Sequence, residues 1–164
     1  MALEPIKSQE YRALLDAKSG LIRSRFDQLG SFASQVKLEI YPSQAQHYRM
    51  RAEFRMWHEG DDLFYAMFAP GNKYQPIRIN AFPQASERIN DLILPLLAEI
   101  KSSLILSKKF FQIDFLSSQR GEILVSLFYH KQLGKDWLGL AEALRIELGI
   151  NILAVRVSKN MCWA

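Results

Sequence analysis

Three kinds of side chain in this sequence could do chemistry: a lone thiol, three imidazoles and a run of guanidiniums. Cys162 is the single cysteine and so the single candidate thiol nucleophile. It sits two residues from the end of the chain with no neighbouring base implied, which argues against catalysis. His47, His58 and His130 are scattered and have no cysteine or carboxylate partners at ligand spacing, so no metal site is expected. Asp61 and Asp62 fall in a turn, where solvation accounts for them. No glycine-rich strand–turn–helix signature for a nucleotide is present, and no complete active site is legible.

The guanidiniums are more informative. In "HYRMRAEFRMWHEGDD", residues 47–62, Arg49, Arg51, Arg55 and Trp57 alternate with Met50, Ala52, Phe54 and Met56. On a strand that alternation puts the arginines on one face and the apolar residues on the other. Arginines at every second or fourth strand position approach the spacing of successive phosphates on a nucleic-acid strand, and guanidinium makes two-pronged phosphate contacts. The competing reading is a surface salt-bridge ladder, for which Glu53 is already one partner.

Two rings pose the same choice. Phe111 shares strand parity with Ile113 and Phe115, which predicts a core position, and His130 ends a strand beside Lys131. Rings at a sheet edge also stack on unpaired bases, and Lys108, Lys109 and Lys131 bring positive charge close to both.

These residues need a sheet to hold them. Apolar positions Tyr11, Leu14, Leu15, Leu21, Ile22, Phe26 and Leu29 predict an amphipathic helix over about 8–29. Period-two alternation predicts strands over 36–40, 49–58, 63–68 and 76–80, with "HEGDD" as a hairpin turn. Pro83 is expected to open a second helix, buried through Ile89, Leu92, Ile93, Leu96, Leu97 and Ile100, with Pro95 kinking it or ending it early. Strands over 110–116 and 122–130 turn at Arg120–Gly121. A third helix, capped near Asp136, runs to Gly149 and buries Trp137, Leu140, Ala141, Leu144 and Leu148. The last strand, 151–157, has no later strand to pair with. The expected fold is α+β: a largely antiparallel sheet of hairpins with about three amphipathic helices. A single domain over 1–164 is expected, the N-terminal helix followed by a sheet-and-helix body over about 36–157.

Composition agrees. The chain has 164 residues, 49% hydrophobic and 23% charged, with a formal charge of +4. That mild basic excess is compatible with a nucleic-acid partner without requiring one. One cysteine suits a reducing compartment, the N-terminus lacks a signal-peptide core, and the longest apolar run, "LILPLLAEI", is too short to span a membrane. The expected localisation is cytoplasmic, with no membrane partner.

Four segments, "HYRMRAEFRMWHEGDDLFY", "RINAFPQAS", "FFQIDFLSS" and "VSLFYHKQL", closely resemble in order and spacing the N-terminal part of bacterial tRNA (uracil-5-)-methyltransferases of the TrmA type. The resemblance runs from about Glu10 to Lys159. It implies tRNA, through its T-arm, as the partner, and RNA contacts by Arg49, Arg51, Arg55, Phe111 and His130, the last two touching bases as the arm opens. It also implies S-adenosylmethionine as methyl donor and ribothymidine in the T-loop as product of the full-length family. That family's catalytic half follows the resembling segment: a Rossmann-like domain with a glycine-rich loop, an Asp-Pro-Pro-Arg motif, a Ser-Cys-Asn-Pro nucleophile and a later glutamate base. None of these is in the sequence, Cys162 in "NMCWA" does not match the nucleophile motif, and Val155 stands where the family has glycine. The chain is therefore expected to be truncated before the catalytic domain, with no catalytic, cofactor-binding or metal-binding residue of its own. It is expected to be inactive alone and to self-associate through the face left bare. The alternative is a catalytically dead remnant or interaction module without an RNA role.

Overall fold

Alternation along one strand sets the architecture. Ala52, Phe54 and Met56 are at most 5% exposed, whereas Arg51, Glu53 and Arg55 between them face solvent. In the computed structural model, which describes residues 4–30 and 36–157, this strand is β1 (Arg51–Glu59) and lies inside a six-stranded sheet. Its neighbours are β2 (Asp62–Ala69) and β4 (Phe110–Ser117); β3 (Asn72–Ile79) and β5 (Ile123–Tyr129) lie outside them, and β6 (Asn151–Arg156) is an edge. The strand order is β3-β2-β1-β4-β5-β6. Every pairing is antiparallel except β5 with β6, which is parallel. The last strand was expected to lack a partner. It finds one because α4 (Lys135–Leu148) is a crossover that returns the chain to the sheet, as a parallel pair requires.

Helices cover one face of this sheet. α2 (Glu87–Ser102) buries Ile89, Leu92, Ile93, Leu96, Leu97 and Ile100, the stripe its spacing predicts. The one-turn α3 (Leu104–Ser107) adds Leu106, and α4 adds Trp137, Ala141 and Leu144, with Leu140 and Leu148 half-buried. Under them Phe54 meets Tyr65 and Phe82, each with ring centroids 5.6 Å away, and Phe115 at 6.1 Å. The result is the expected α+β fold, two layers thick, with one sheet face left to solvent.

Several local expectations need correction. Pro83 does not open α2; it sits in a turn, and Ser86 is the N-cap, its hydroxyl accepting from the Ile89 amide (3.3 Å). That hydroxyl also bonds the buried Ser117 hydroxyl at 2.7 Å, which ties the helix start to the end of β4. Pro95 does not end the helix, which continues to Ser102; Pro95 itself is exposed, so its ring points away from the packed stripe. Asp136 lies in the first turn of α4 but is not its cap, which is Gly134. Residues 36–40 form no strand: they pair with no strand among the described residues, and Val36 and Leu38 instead border a hollow with Ile22 and Phe26 of α1 (Ser8–Asp27). α1 buries no residue at all, although its apolar spacing is helical as expected. Cys162 lies outside the described residues.

One ion cluster fixes the β2–β3 side. Asp62 accepts from Arg78 (2.8 Å) and Lys101 (2.5 Å), and those bonds hold its carboxyl far below the usual carboxylate range. Arg78 also covers Phe64, with its guanidinium carbon 3.7 Å from the ring centroid. That cover explains why β2 is buried on both faces, as its continuous apolar run suggests.

If Ser86 is the cap and Pro83 only a turn residue, their substitutions separate. Ser86→Ala should cost about 1–3 kcal/mol in urea unfolding, because it removes a cap and strands a buried hydroxyl. Pro83→Ala should cost less than about 1 kcal/mol; a larger loss at Pro83 than at Ser86 would contradict the assignment.

Candidate functional site

The open face of the sheet acquires its main feature from one extra residue. Phe110 pairs with Tyr129 and Gln112 with Phe128, so Phe111 is a bulge with no partner across the ladder. The bulge reverses the parity on which a core position was expected. Phe110, Ile113 and Phe115 are fully buried, whereas Phe111 turns to the outer face and is half-buried there. The chain enters the bulge through Lys109, a non-glycine residue at φ 58°, whose carbonyl accepts from the His130 amide at 3.0 Å.

Two stacks result, one on each side of the sheet. Inside, Phe110 lies on Tyr129 with centroids 4.9 Å apart and planes 25° apart. The Tyr129 hydroxyl donates to the Leu106 carbonyl (2.8 Å), and burial pushes its phenol up to about 12. Outside, Phe111 lies on His130 at 3.9 Å and 11°, a nearly parallel pair. Phe128 supports Phe111 edge-on at 6.3 Å. His130 itself is exposed, with Nδ1 3.4 Å from the Val157 carbonyl. An open cleft of about 470 Å³ beside the pair is lined by Lys109, Phe110 and His58, whose Nε2 is 2.8 Å from the Phe110 carbonyl.

The three arginines of the sequence motif are not equivalent. Arg55 stands opposite Gln112, and its guanidinium carbon is 5.9 Å from the Phe111 ring centroid. It makes no ion pair among the described residues. Arg51 lies 3.4 Å from both Glu53 and Asp114, while Gln112 donates to the same two carboxylates at 3.1 Å each. There the salt-bridge ladder describes the geometry. Arg49 falls before β1 and is exposed; its backbone bridges to Ala85, donating to the Gln84 carbonyl (2.9 Å) and accepting from Ser86 (2.8 Å). The strand runs on from Arg49 towards the ring pair, so Arg55, Phe111 and His130 come together and Arg49 does not join them.

Sequence reasoning missed Phe128 and Gln112. Phe128 was recoverable, since Ser126, Phe128 and His130 alternate and must share a face. Gln112 depended on the bulge. As chemistry, the site offers a flat π surface with a guanidinium beside it, suited to stacking and anion contact. Among the described residues no group of three His, Cys, Asp or Glu could hold a metal ion, and no helix is long and apolar enough to cross a membrane.

Comparison with known proteins places the chain as a whole. The family profile described as tRNA (Uracil-5-)-methyltransferase matches residues 10–162. A "tRNA/tmRNA (uracil-C(5))-methyltransferase" of Aeromonas salmonicida is 48% identical over 139 residues, covering 85% of this chain and 36% of the relative. One of the same name from Vibrio atlanticus is 44% identical over 165 residues, covering 98% of this chain and 43% of its own length. One from Chromohalobacter salexigens is 43% identical, covering 93% and 41%. The chain thus spans about two-fifths of the length of these curated relatives.

The bulge makes a direct energetic prediction. Phe110→Ala should cost about 3–5 kcal/mol in urea unfolding, as a fully buried aromatic does. Phe111→Ala should cost only about 1–2 kcal/mol, the loss of a half-buried stack. Equal costs, or the reverse order, would return Phe111 to the core.

Proposed function

The chain belongs to the tRNA (uracil-5-)-methyltransferase family, and on that premise we propose that these residues recognise tRNA rather than methylate it. The observation that carries this reading is the parallel Phe111–His130 stack on an open sheet face, with Arg55 beside it. A base freed from its own stack regains stacking energy on such rings, at about 1–3 kcal/mol per base. The proposed partner is the T-arm of tRNA, and the proposed nucleotide is a uridine of its T-loop. Arg55 serves the same nucleotide. Arg49 lies before the start of β1, away from the rings, where it contacts the RNA backbone. Arg51 joins only by exchanging Glu53 or Asp114 for a phosphate, so its contribution is the weakest of the three.

Methyl transfer to C5 of uracil needs a thiolate that adds to C6, a base for the C5 proton and a methyl donor. S-adenosylmethionine would supply the methyl group in the relatives' reaction. The described residues do not fit that cofactor: Gly60, Gly71 and Gly121 serve hairpin turns, Gly149 ends α4, and Gly134 at the start of α4 is the lone glycine of the loop after β5, so they form no glycine-rich strand–turn–helix loop to cradle a nucleoside. No step is assigned to this chain beyond binding and holding RNA.

In a titration with a T-arm stem–loop, Phe111→Ala and Arg55→Ala should each weaken binding about 5- to 100-fold, equivalent to about 1–3 kcal/mol. In a labelled-methyl assay the 164-residue chain should transfer nothing to the same RNA. Unchanged binding in both variants would sink the assignment, and stoichiometric methylation would refute the division of labour.

A further inference from the structure

The sheet end that carries the ring pair also gathers three lysines from two chain segments. Lys108 is the C-cap residue of α3, Lys109 follows it in the left-handed conformation, and Lys131 comes directly after His130. Backbone pairing of His130 with Lys109 draws the segments together. Lys109 lines the cleft beside the rings, and Lys108 lines an adjoining hollow with Lys101, His58, Asp61 and Asp62. The Lys131 ammonium donates to the Ile105 carbonyl and sits 5.1 Å from the Tyr129 ring centroid.

None of the three lysines forms an ion pair among the described residues. Of the two carboxylates in the hollow beside Lys108, Asp61 makes no ion pair with it, and Asp62 is already engaged by Arg78 and Lys101. Partial burial and the charge of Lys108 hold the Lys131 ammonium below its usual range, so the two like charges feel each other. An anion placed between them would relieve that repulsion. Lysine suits such a role because its ammonium is a compact point charge that can turn to meet a phosphate from several directions.

We propose that Lys108, Lys109 and Lys131 each hold one of three successive phosphodiester linkages around the nucleotide whose base stacks on Phe111 and His130. The proposal rests on the RNA reading of the ring pair and extends it: the rings take the base, and the lysines take the backbone on either side. Positioning by phosphate contacts would then fix which base reaches the rings.

The test is the salt dependence of T-arm stem–loop binding, measured for the wild type and three variants. Lys108→Gln/Lys109→Gln/Lys131→Gln should lower the slope of log affinity against log salt by about 2, at about 0.7 per single-strand phosphate contact. Lys108→Gln/Lys109→Gln, which keeps the Lys131–Ile105 bond, should lower it by about 1.4. Phe111→Ala should weaken binding with the slope unchanged. Uncharged methylphosphonate linkages in the loop should lower the wild-type slope in the same way and add nothing to the triple variant. Unchanged slopes in both lysine variants, with Phe111→Ala still weakening binding, would overturn the lysine assignment alone. A neutral Phe111→Ala with lowered lysine slopes would overturn both readings, since the backbone would then be held away from any stacked base. No binding at the lowest salt would also overturn both.

Discussion

The outer surface of this protein depends on a single residue inserted into β4. Without the bulge, Phe110 would leave the core whenever Phe111 entered it, because strand parity is strict. With it, both phenylalanines find a ring: Phe110 packs on Tyr129 inside the sheet and Phe111 on His130 outside. Two consecutive β4 residues therefore stack on the last β5 residue, Tyr129, and on His130 directly after it, on opposite faces of the sheet. The backbone cost is a left-handed Lys109, offset by the bond from the His130 amide to its carbonyl. The same insertion leaves Gln112 on the outer face next to Phe111, where it reaches Glu53 and Asp114. The position of the rings and the order of the charges beside them have one origin.

That charge order distinguishes the arginines. Arg51 has two carboxylates and a shared glutamine, an arrangement that needs no ligand to be satisfied. Arg55, four residues on, has an aromatic face and no carboxylate. Solvent-exposed ion pairs contribute little stability, so the ladder serves better as a fence. It sets a negative boundary on one side of Arg55, while Lys108, Lys109 and Lys131 set a positive one at the sheet end. A polyanion meeting this face would be steered towards the rings.

Much of this was legible in the sequence. The alternation of Ala52, Phe54 and Met56 with Arg51 and Arg55 gave the strand and its faces, and the α2 stripe was recovered residue for residue, because both signals are purely periodic. Met50, expected in the core, lies before β1 and is half-buried. What stayed hidden depended on contacts between distant segments. Parity put Phe111 in the core because no local feature of "KKFFQIDF" marks a bulge. Residues 36–40 have a strand's alternation but no partner among the described residues, and alternation alone does not make a strand. The parallel return of β6 follows from a crossover whose direction the sequence does not state. The family motifs named Arg49, Arg51 and Arg55 together, and only the tertiary structure separates them.

RNA recognition by this face turns on whether the outer stack is a surface for bases. The most direct measurement is NMR of the Phe111 and His130 ring signals, using selectively labelled protein titrated with a T-arm stem–loop. Stacking of a base should shift both rings upfield, with Phe110 and Phe115 in the core unmoved. Binding that leaves the Phe111 and His130 rings unshifted, while signals elsewhere on the protein move, would contradict it.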